Sequence, residues 1–142
     1  MLHLEFNSES ENEGIARIVT SAYIMKFDPD MEELEDIKTA VSEAVTNCIV
    51  HAYSDKNGKI FMDLSDKNGV LKIEIRDEGI GIADIKKAME PMFTTKPEEE
   101  RTGMGFSFME AFMDEVKVYS REGVGTKVVM TKKMGEMDKQ NG

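Results

Sequence analysis

Glu43 and Asn47 stand four residues apart in a run with helical apolar spacing, so they share one helix face, offset from the apolar stripe. A carboxylate and an amide placed together can serve one site, the amide oxygen on a metal ion and the carboxylate beside a water or hydroxyl. Magnesium takes oxygen ligands and keeps waters and substrate phosphates, so one protein oxygen can suffice. Taken alone, the pair reads more simply as two exposed residues on a surface helix. A second segment, Asp77-Glu78-Gly79-Ile80-Gly81, follows an alternating, strand-like run. Its glycines allow a close backbone approach to a ligand, and Asp77 at the strand end can accept a hydrogen bond from an amino group such as the adenine amine. A tight turn capped by Asp77 explains that segment alone equally well. A third, Arg101-Thr102-Gly103-Met104-Gly105-Phe106, opens a helix. Backbone N–H groups freed of side chains there form an anion site, with Arg101 and Lys96 supplying positive charge for phosphate. By itself it is a glycine-rich helix start after a mobile loop.

The elements that must position these residues can be read from periodicity. Leu2, Leu4 and Phe6 alternate with polar residues and predict a first strand. Ile15, Ile18, Val19 and Ala22 predict the apolar stripe of a first helix beginning near Ser10. Asp28 is the expected cap of a second helix with Pro29 in its first turn, and Leu34, Ile37, Val41, Ala44, Val45 and Cys48 are its core stripe. Asn57-Gly58 and Asn68-Gly69 bracket a strand over Lys59–Leu64, and Val70–Arg76 alternates as the next. Residues 82–101, with two prolines and many charges, read as a mobile segment. Gly103–Met113 is expected as a third long helix, and Val116–Tyr119 and Thr126–Thr131 as closing strands. The architecture expected is an α+β two-layer sandwich: a mixed, mostly antiparallel sheet with helices on one face. Residues 1–133 form one domain and 134–142 a flexible tail.

There is no Walker A sequence and no His-Arg-Asp catalytic loop, so ordinary nucleotide motifs do not explain these segments. Their order does. A helix with Glu-x-x-x-Asn, a strand leading into Asp-x-Gly-x-Gly, a loop, a Gly-x-Gly helix and Gly125-Thr126 near a last strand resemble the ATP-binding superfamily of gyrase, heat-shock chaperone, histidine kinase and MutL proteins. Glu43–Asn47 matches its N box, Asp77–Gly81 its first glycine box and Gly103–Gly105 its second. Within it, Ser42–Asn47, Met92–Pro97, Arg101–Phe106 and Phe112–Val116 resemble the anti-sigma-F factors over all but the tail.

That resemblance implies a Bergerat-type fold, binding of ATP or ADP with Mg2+, and a homodimer. It implies an anti-sigma factor that sequesters the early forespore sigma factor of sporulation and, as a serine protein kinase, phosphorylates and inactivates an anti-anti-sigma factor. Glu43 would be the general base, Asn47 the magnesium ligand and Asp77 the adenine acceptor, with Gly79 and Gly81 shaping the pocket. Gly103 and Gly105 would approach the phosphates with Arg101, and Thr126 would support the adenine end. Thr95, Lys96 and Met104 complete the nucleotide-binding set, and residues 93–101 would form a lid. Glu13 and Arg17, an i, i+4 pair off the apolar stripe, would form a docking face shared by the two partners; on their own they are a surface ion pair. Ala52 after His51 departs from a frequent glycine, with little consequence expected.

The totals agree. A chain of 142 residues with 40% apolar and 32% charged residues is a soluble-type globular domain. Its net charge of −10 disfavours free nucleic acid as a partner and suits one offering Lys and Arg. A lone cysteine permits no internal disulfide, Cys48 and the Met104, Met109, Met113, Phe106, Phe108 and Phe112 set read as packing, and His51 as a satisfied helix histidine. No signal peptide or membrane span is visible, so a cytoplasmic location is expected. Rival readings are a serine-kinase anti-sigma factor of the general stress response, a non-catalytic ATP-gated binding module and a detached histidine-kinase ATPase domain. Glu43 argues against a pure binder, and the Glu43–Asn47 run and the short lid favour the serine-kinase branch.

Overall fold

The computed structural model describes residues 1–54, 56–89 and 105–135. Five strands, β1 (Leu2–Asn7), β2 (Lys59–Lys67), β3 (Val70–Asp77), β4 (Glu115–Arg121) and β5 (Gly125–Lys133), form one sheet in the order β1-β2-β3-β5-β4. All four pairings are antiparallel, the limiting case of the mostly antiparallel sheet expected. Register follows the buried face: Leu64 pairs with Ile73, Met62 with Ile75 and Ile73 with Met130, all essentially inaccessible. A one-residue slip would turn this whole set to solvent. Burying each such side chain contributes about 1.5–3 kcal/mol.

The helices α1 (Glu11–Ile24), α2 (Met31–Thr46), the short α3 (Ile85–Ala88) and α4 (Phe106–Phe112) are the helical elements among the described residues, beside a 3₁₀ turn at Met25–Phe27. A π-helical stretch at Asn47–Ala52 continues α2. The second-helix stripe is as expected, with Ile37, Val41, Ala44, Val45 and Cys48 buried and Leu34 packed at its edge. Two expectations are corrected. The cap of α2 is Asp30, whose carboxylate accepts from the Glu33 N–H at 2.7 Å; Asp28 instead ends the 3₁₀ turn at φ 52°. On α1 the buried stripe is Ala16, Thr20 and Ile24, while Ile15 and Ile18 are 52% and 69% exposed. Two small residues one turn apart let α1 pack closely, and Thr20 returns its hydroxyl to the Ala16 carbonyl at 2.9 Å.

That shift of face also moves Glu13 and Arg17, which fall on the line of Ala16 and Thr20 rather than apart from the core-facing side. In α4, Phe106, Met109 and Met113 are buried as expected, but Phe108 is 49% exposed and stacks on Phe112. Thr95, Lys96, Arg101, Gly103, Met104, the expected lid and residues 136–142 lie outside the described residues.

Candidate nucleotide site

Period-two alternation carries Leu71, Ile73, Ile75 and then Asp77 onto the helix-facing side of β3, so the strand ends by pointing a carboxylate into the core layer. Its register partner on β5 is Thr126. Asp77 is 5% exposed, and its Oδ1 accepts from the Gly79 N–H at 2.9 Å and the Thr126 N–H at 3.2 Å. The Cys48 thiol hydrogen-bonds the same carboxyl from the end of α2. Burial pushes the Asp77 carboxyl above the usual carboxylate range, and the hydrogen bonds from Gly79, Cys48 and Thr126 only partly offset it. The Cys48 thiol is pushed well above its ordinary value, chiefly by burial and then by Asp77. It is core, as expected, and also a second support of the acceptor.

Ala44, Asn47, Cys48, Asp77, Gly81 and Thr126 line a pocket, with His51, Ile82, Phe106 and Val128 among its other walls. The turn after Asp77 is pinned from two sides. The Ile80 N–H bonds the Ala52 carbonyl at 3.1 Å, and a Cβ on Gly79 would stand 2.3 Å from that oxygen, so only glycine fits. The Glu78 N–H donates to the Tyr53 hydroxyl at 2.7 Å, and Tyr53 in turn donates to the Lys59 carbonyl. Gly81 adopts φ +80° and packs on the Arg121 carbonyl. Ser120 closes this end, taking the Ile82 N–H at 2.7 Å and exchanging a hydrogen bond with the Thr126 hydroxyl at 2.7 Å. Tyr53 and Ser120 were not singled out from sequence; neither carries a spacing signal, and only the fold brings them to the turn.

Glu43 directly precedes Ala44, a wall of the pocket, and packs against the start of α4. Gly105, the N-terminal cap of α4 at φ 61°, lies against it so tightly that a Cβ there would be 2.1 Å from Glu43 Oε1 and 3.0 Å from Glu43 Cβ. Gly105, the last residue of the second glycine segment, and the helix carboxylate therefore meet in space. Burial, and after it the charge of Glu13, holds the Glu43 carboxyl above its ordinary range. Glu13 reaches this position because α1 and α2 are successive helices packed on each other through the turn at residues 25–30. Arg17 Nε lies 2.6 Å from Glu13 Oε2, yet the N–H is not aimed at the oxygen and both atoms are inaccessible to water. Of the predicted residues, Glu43, Asn47, Asp77, Gly79, Gly81, Gly105 and Thr126 are thus gathered at one end of the sheet, with Glu13 and Arg17 beside Glu43. Among the described residues no group of three or more His, Cys, Asp or Glu side chains could hold a metal ion.

Residues 6–132 match the histidine kinase-like ATPase domain family. The chain is 54% identical to the anti-sigma F factor of Caldanaerobacter subterraneus subsp. tengcongensis over 95% of its own length and 94% of the relative's. It is 51% identical to the anti-sigma F factor of Geobacillus thermodenitrificans over 92% and 90%, and 49% identical to that of Clostridium acetobutylicum over 93% and 92%. Its fold is similar to the catalytic domain of the histidine kinase ThkA, with a TM-score of 0.58 and 21% identity over 95% of this chain and 97% of that one. A buried acceptor at the end of β3, a helix carboxylate against the start of α4 and about half-identity across nearly the whole chain agree: this protein belongs to the anti-sigma F factor family, within the histidine kinase-like ATPase domains.

Proposed function

We propose that this protein is an anti-sigma factor that sequesters the early forespore sigma factor and, as an ATP-dependent protein-serine kinase, phosphorylates an anti-anti-sigma factor. The observation that carries the reading is the buried Asp77 carboxylate in a pocket that the Glu43 helix also lines, through Ala44 and Asn47, in a chain about half identical to proteins named anti-sigma F factor.

The residues around the pocket suit ATP or ADP. Asp77 has Oδ1 committed to two backbone N–H groups and its carboxyl at the pocket wall, where an exocyclic amine can donate to it. Thr126 and Gly81 close the adenine end, and Gly79 keeps the turn low enough to leave room. Asn47 offers the single oxygen that magnesium needs from protein when phosphates and waters complete its shell. Bound magnesium and ATP would supply charge neutralisation and the phosphoryl group. Gly105 presents a side-chain-free helix start beside Glu43, and Thr95, Lys96, Arg101, Gly103 and Met104 complete the phosphate end on this reading.

Phosphoryl transfer asks the protein mainly for positioning and charge neutralisation, with a base to receive the nucleophile's proton. Glu43 takes the proton from the partner's serine hydroxyl. Its raised affinity for a proton, from burial and from Glu13, makes it a better acceptor than an exposed glutamate. Glu13 and Arg17, placed beside it, form the docking face, so a partner seated there brings its serine to the base. We further assign a homodimer, a cytoplasmic location, and a single domain over 1–133 with a tail at 134–142. Incubation with ATP, magnesium and the anti-anti-sigma protein is expected to leave phosphate on a partner serine, read by mass spectrometry. Tight, ATP-dependent sigma-factor binding without any phosphoserine would leave a nucleotide-gated sequestering module instead.

A further inference from the structure

The same alternation that turns Asp77 and Val128 toward the helices turns Arg76, Lys127 and Tyr119 to the open face of the sheet. There they lie in one row: Arg76 pairs in register with Lys127, and Lys127 with Tyr119. Beside the row is a second pocket, of about 440 Å3, walled by Arg76, Glu78, Tyr119, Arg121, Val124 and Lys127. Small-molecule sites fall in a range of about 300–1,000 Å3.

Its charge runs against the chain as a whole. The protein carries 28 acidic and 18 basic residues, yet this pocket collects three cations against two carboxylates, the exposed Glu78 and the buried Asp77. Only Arg76 meets the exposed one, Glu78, at 3.3 Å. Among the described residues neither Arg121 nor Lys127 has a carboxylate within ion-pair distance; Lys127 lies 5.1 Å from the centre of the Tyr119 ring. Tyr119 and Val124, 51% and 58% exposed, are large apolar surfaces held open on an edge strand and its turn. Lys127 lies across from Tyr119, and Arg121 is two residues further along the same face of β4, a diagonal pair about 7–8 Å apart and within reach of long side chains, so one phosphate group can meet Arg121 and Lys127 while a flat ring lies on Tyr119.

We propose that this pocket is a second ligand site, on the sheet face opposite the nucleotide pocket, for a small molecule that joins a flat ring to a phosphate group. Arg121 and Lys127 bind the phosphate, with Arg76 behind them, and Tyr119 and Val124 hold the ring. Asp77 and Thr126 belong to the walls of both pockets, so the two sites stand back to back at the same end of the sheet.

Phenyl phosphate is the test ligand, titrated into isotope-labelled protein and followed by NMR shifts of assigned backbone amides. The expected result is saturable shifts at Arg76, Tyr119, Arg121, Val124 and Lys127. A variant with Arg121→Glu and Lys127→Glu should bind at least tenfold more weakly, and Tyr119→Ala should weaken phenyl phosphate while leaving inorganic phosphate unchanged. Both charge positions and Tyr119 are solvent-accessible, and retention of the amide spectrum verifies the fold of each variant. Shifts confined to Asn47, Ile82 and Phe106, or equal binding by the charge-reversed variant, would overturn the proposal. So would preferential binding of an acidic Glu-Asp-Phe-Glu peptide, which would make the pocket a protein-docking surface.

Discussion

Replacing Gly105 by alanine probes the contact that joins the helix carboxylate to the second glycine segment. The new Cβ would lie 2.1 Å from Glu43 Oε1 and 3.0 Å from Glu43 Cβ. The carboxylate can swing away, but Glu43 Cβ is fixed to its helix and cannot. A left-handed φ of 61° costs alanine about 1–2 kcal/mol, and forcing Glu43 off its rotamer about 0.5–1.5 more. The loss of stability should therefore be about 2–3 kcal/mol, measured by urea denaturation, and the chain should stay mostly folded if its stability is ordinary. Single-turnover phosphotransfer at saturating ATP should fall much further, by roughly 10²–10⁴, because the base is displaced from the hydroxyl. A double-mutant cycle locates the damage. In a Glu43→Gln background, Gly105→Ala should slow transfer by no more than about threefold, because the base it displaces is already gone. Additive losses would refute the reasoning and reassign Gly105 to direct contact with the nucleotide.

Other substitutions test separate links. Asp77→Asn keeps an acceptor for the Gly79 and Thr126 N–H groups but sets an amide donor against the ligand amine. ATP affinity should fall roughly ten- to a hundredfold, the value of about 1.5–3 kcal/mol for a charged hydrogen bond; unchanged titration isotherms would remove Asp77 from adenine recognition. Asp30→Ala should cost about 1 kcal/mol in denaturant unfolding through loss of the cap, whereas Asp28→Asn, at a residue with positive φ, should be near neutral. The raised Glu43 carboxyl binds its proton more tightly in the folded than in the unfolded chain. Its contribution to stability is thus complete below the ordinary carboxylate range and lost as pH rises through the raised value. Glu43→Gln should melt higher than the parent at neutral pH, with the gap closing on acidification; a constant gap from pH 4 to 8 would contradict the burial and Glu13 effects.

The sheet and α2 were legible because their apolar periods are strong: alternation in β2 and β3, and helical recurrence from Leu34 to Cys48, survive any choice of partner. The stripe on α1 misled because two apolar stripes compete there. Ile15 and Ile18 are the more hydrophobic, but Ala16 and Thr20 are small enough for close packing, and packing distance is a tertiary property. Asp28 and Asp30 are equally good caps by type; the left-handed turn at Asp28 decides between them. In the site, the spacing of Glu43 and Asn47 and the Asp77 glycine turn were visible as segments. Their meeting was not: Glu43 against Gly105 spans 62 positions and Asp77 against Thr126 spans 49, and no local signal encodes such distances. The support given by Tyr53, Ser120 and the Cys48 thiol depends on the same long-range closure.

The most direct test of the central claim separates chemistry from binding at Glu43. Parent and Glu43→Gln proteins are mixed in parallel with magnesium, ATP, the anti-anti-sigma protein and the sigma factor, and partner phosphoserine and sigma-factor capture are recorded in the same samples. The account predicts phosphoserine with the parent, its loss by at least a hundredfold in Glu43→Gln, and sigma-factor capture preserved in both. Equal phosphoserine with both proteins, or none with the parent despite intact capture, would contradict it.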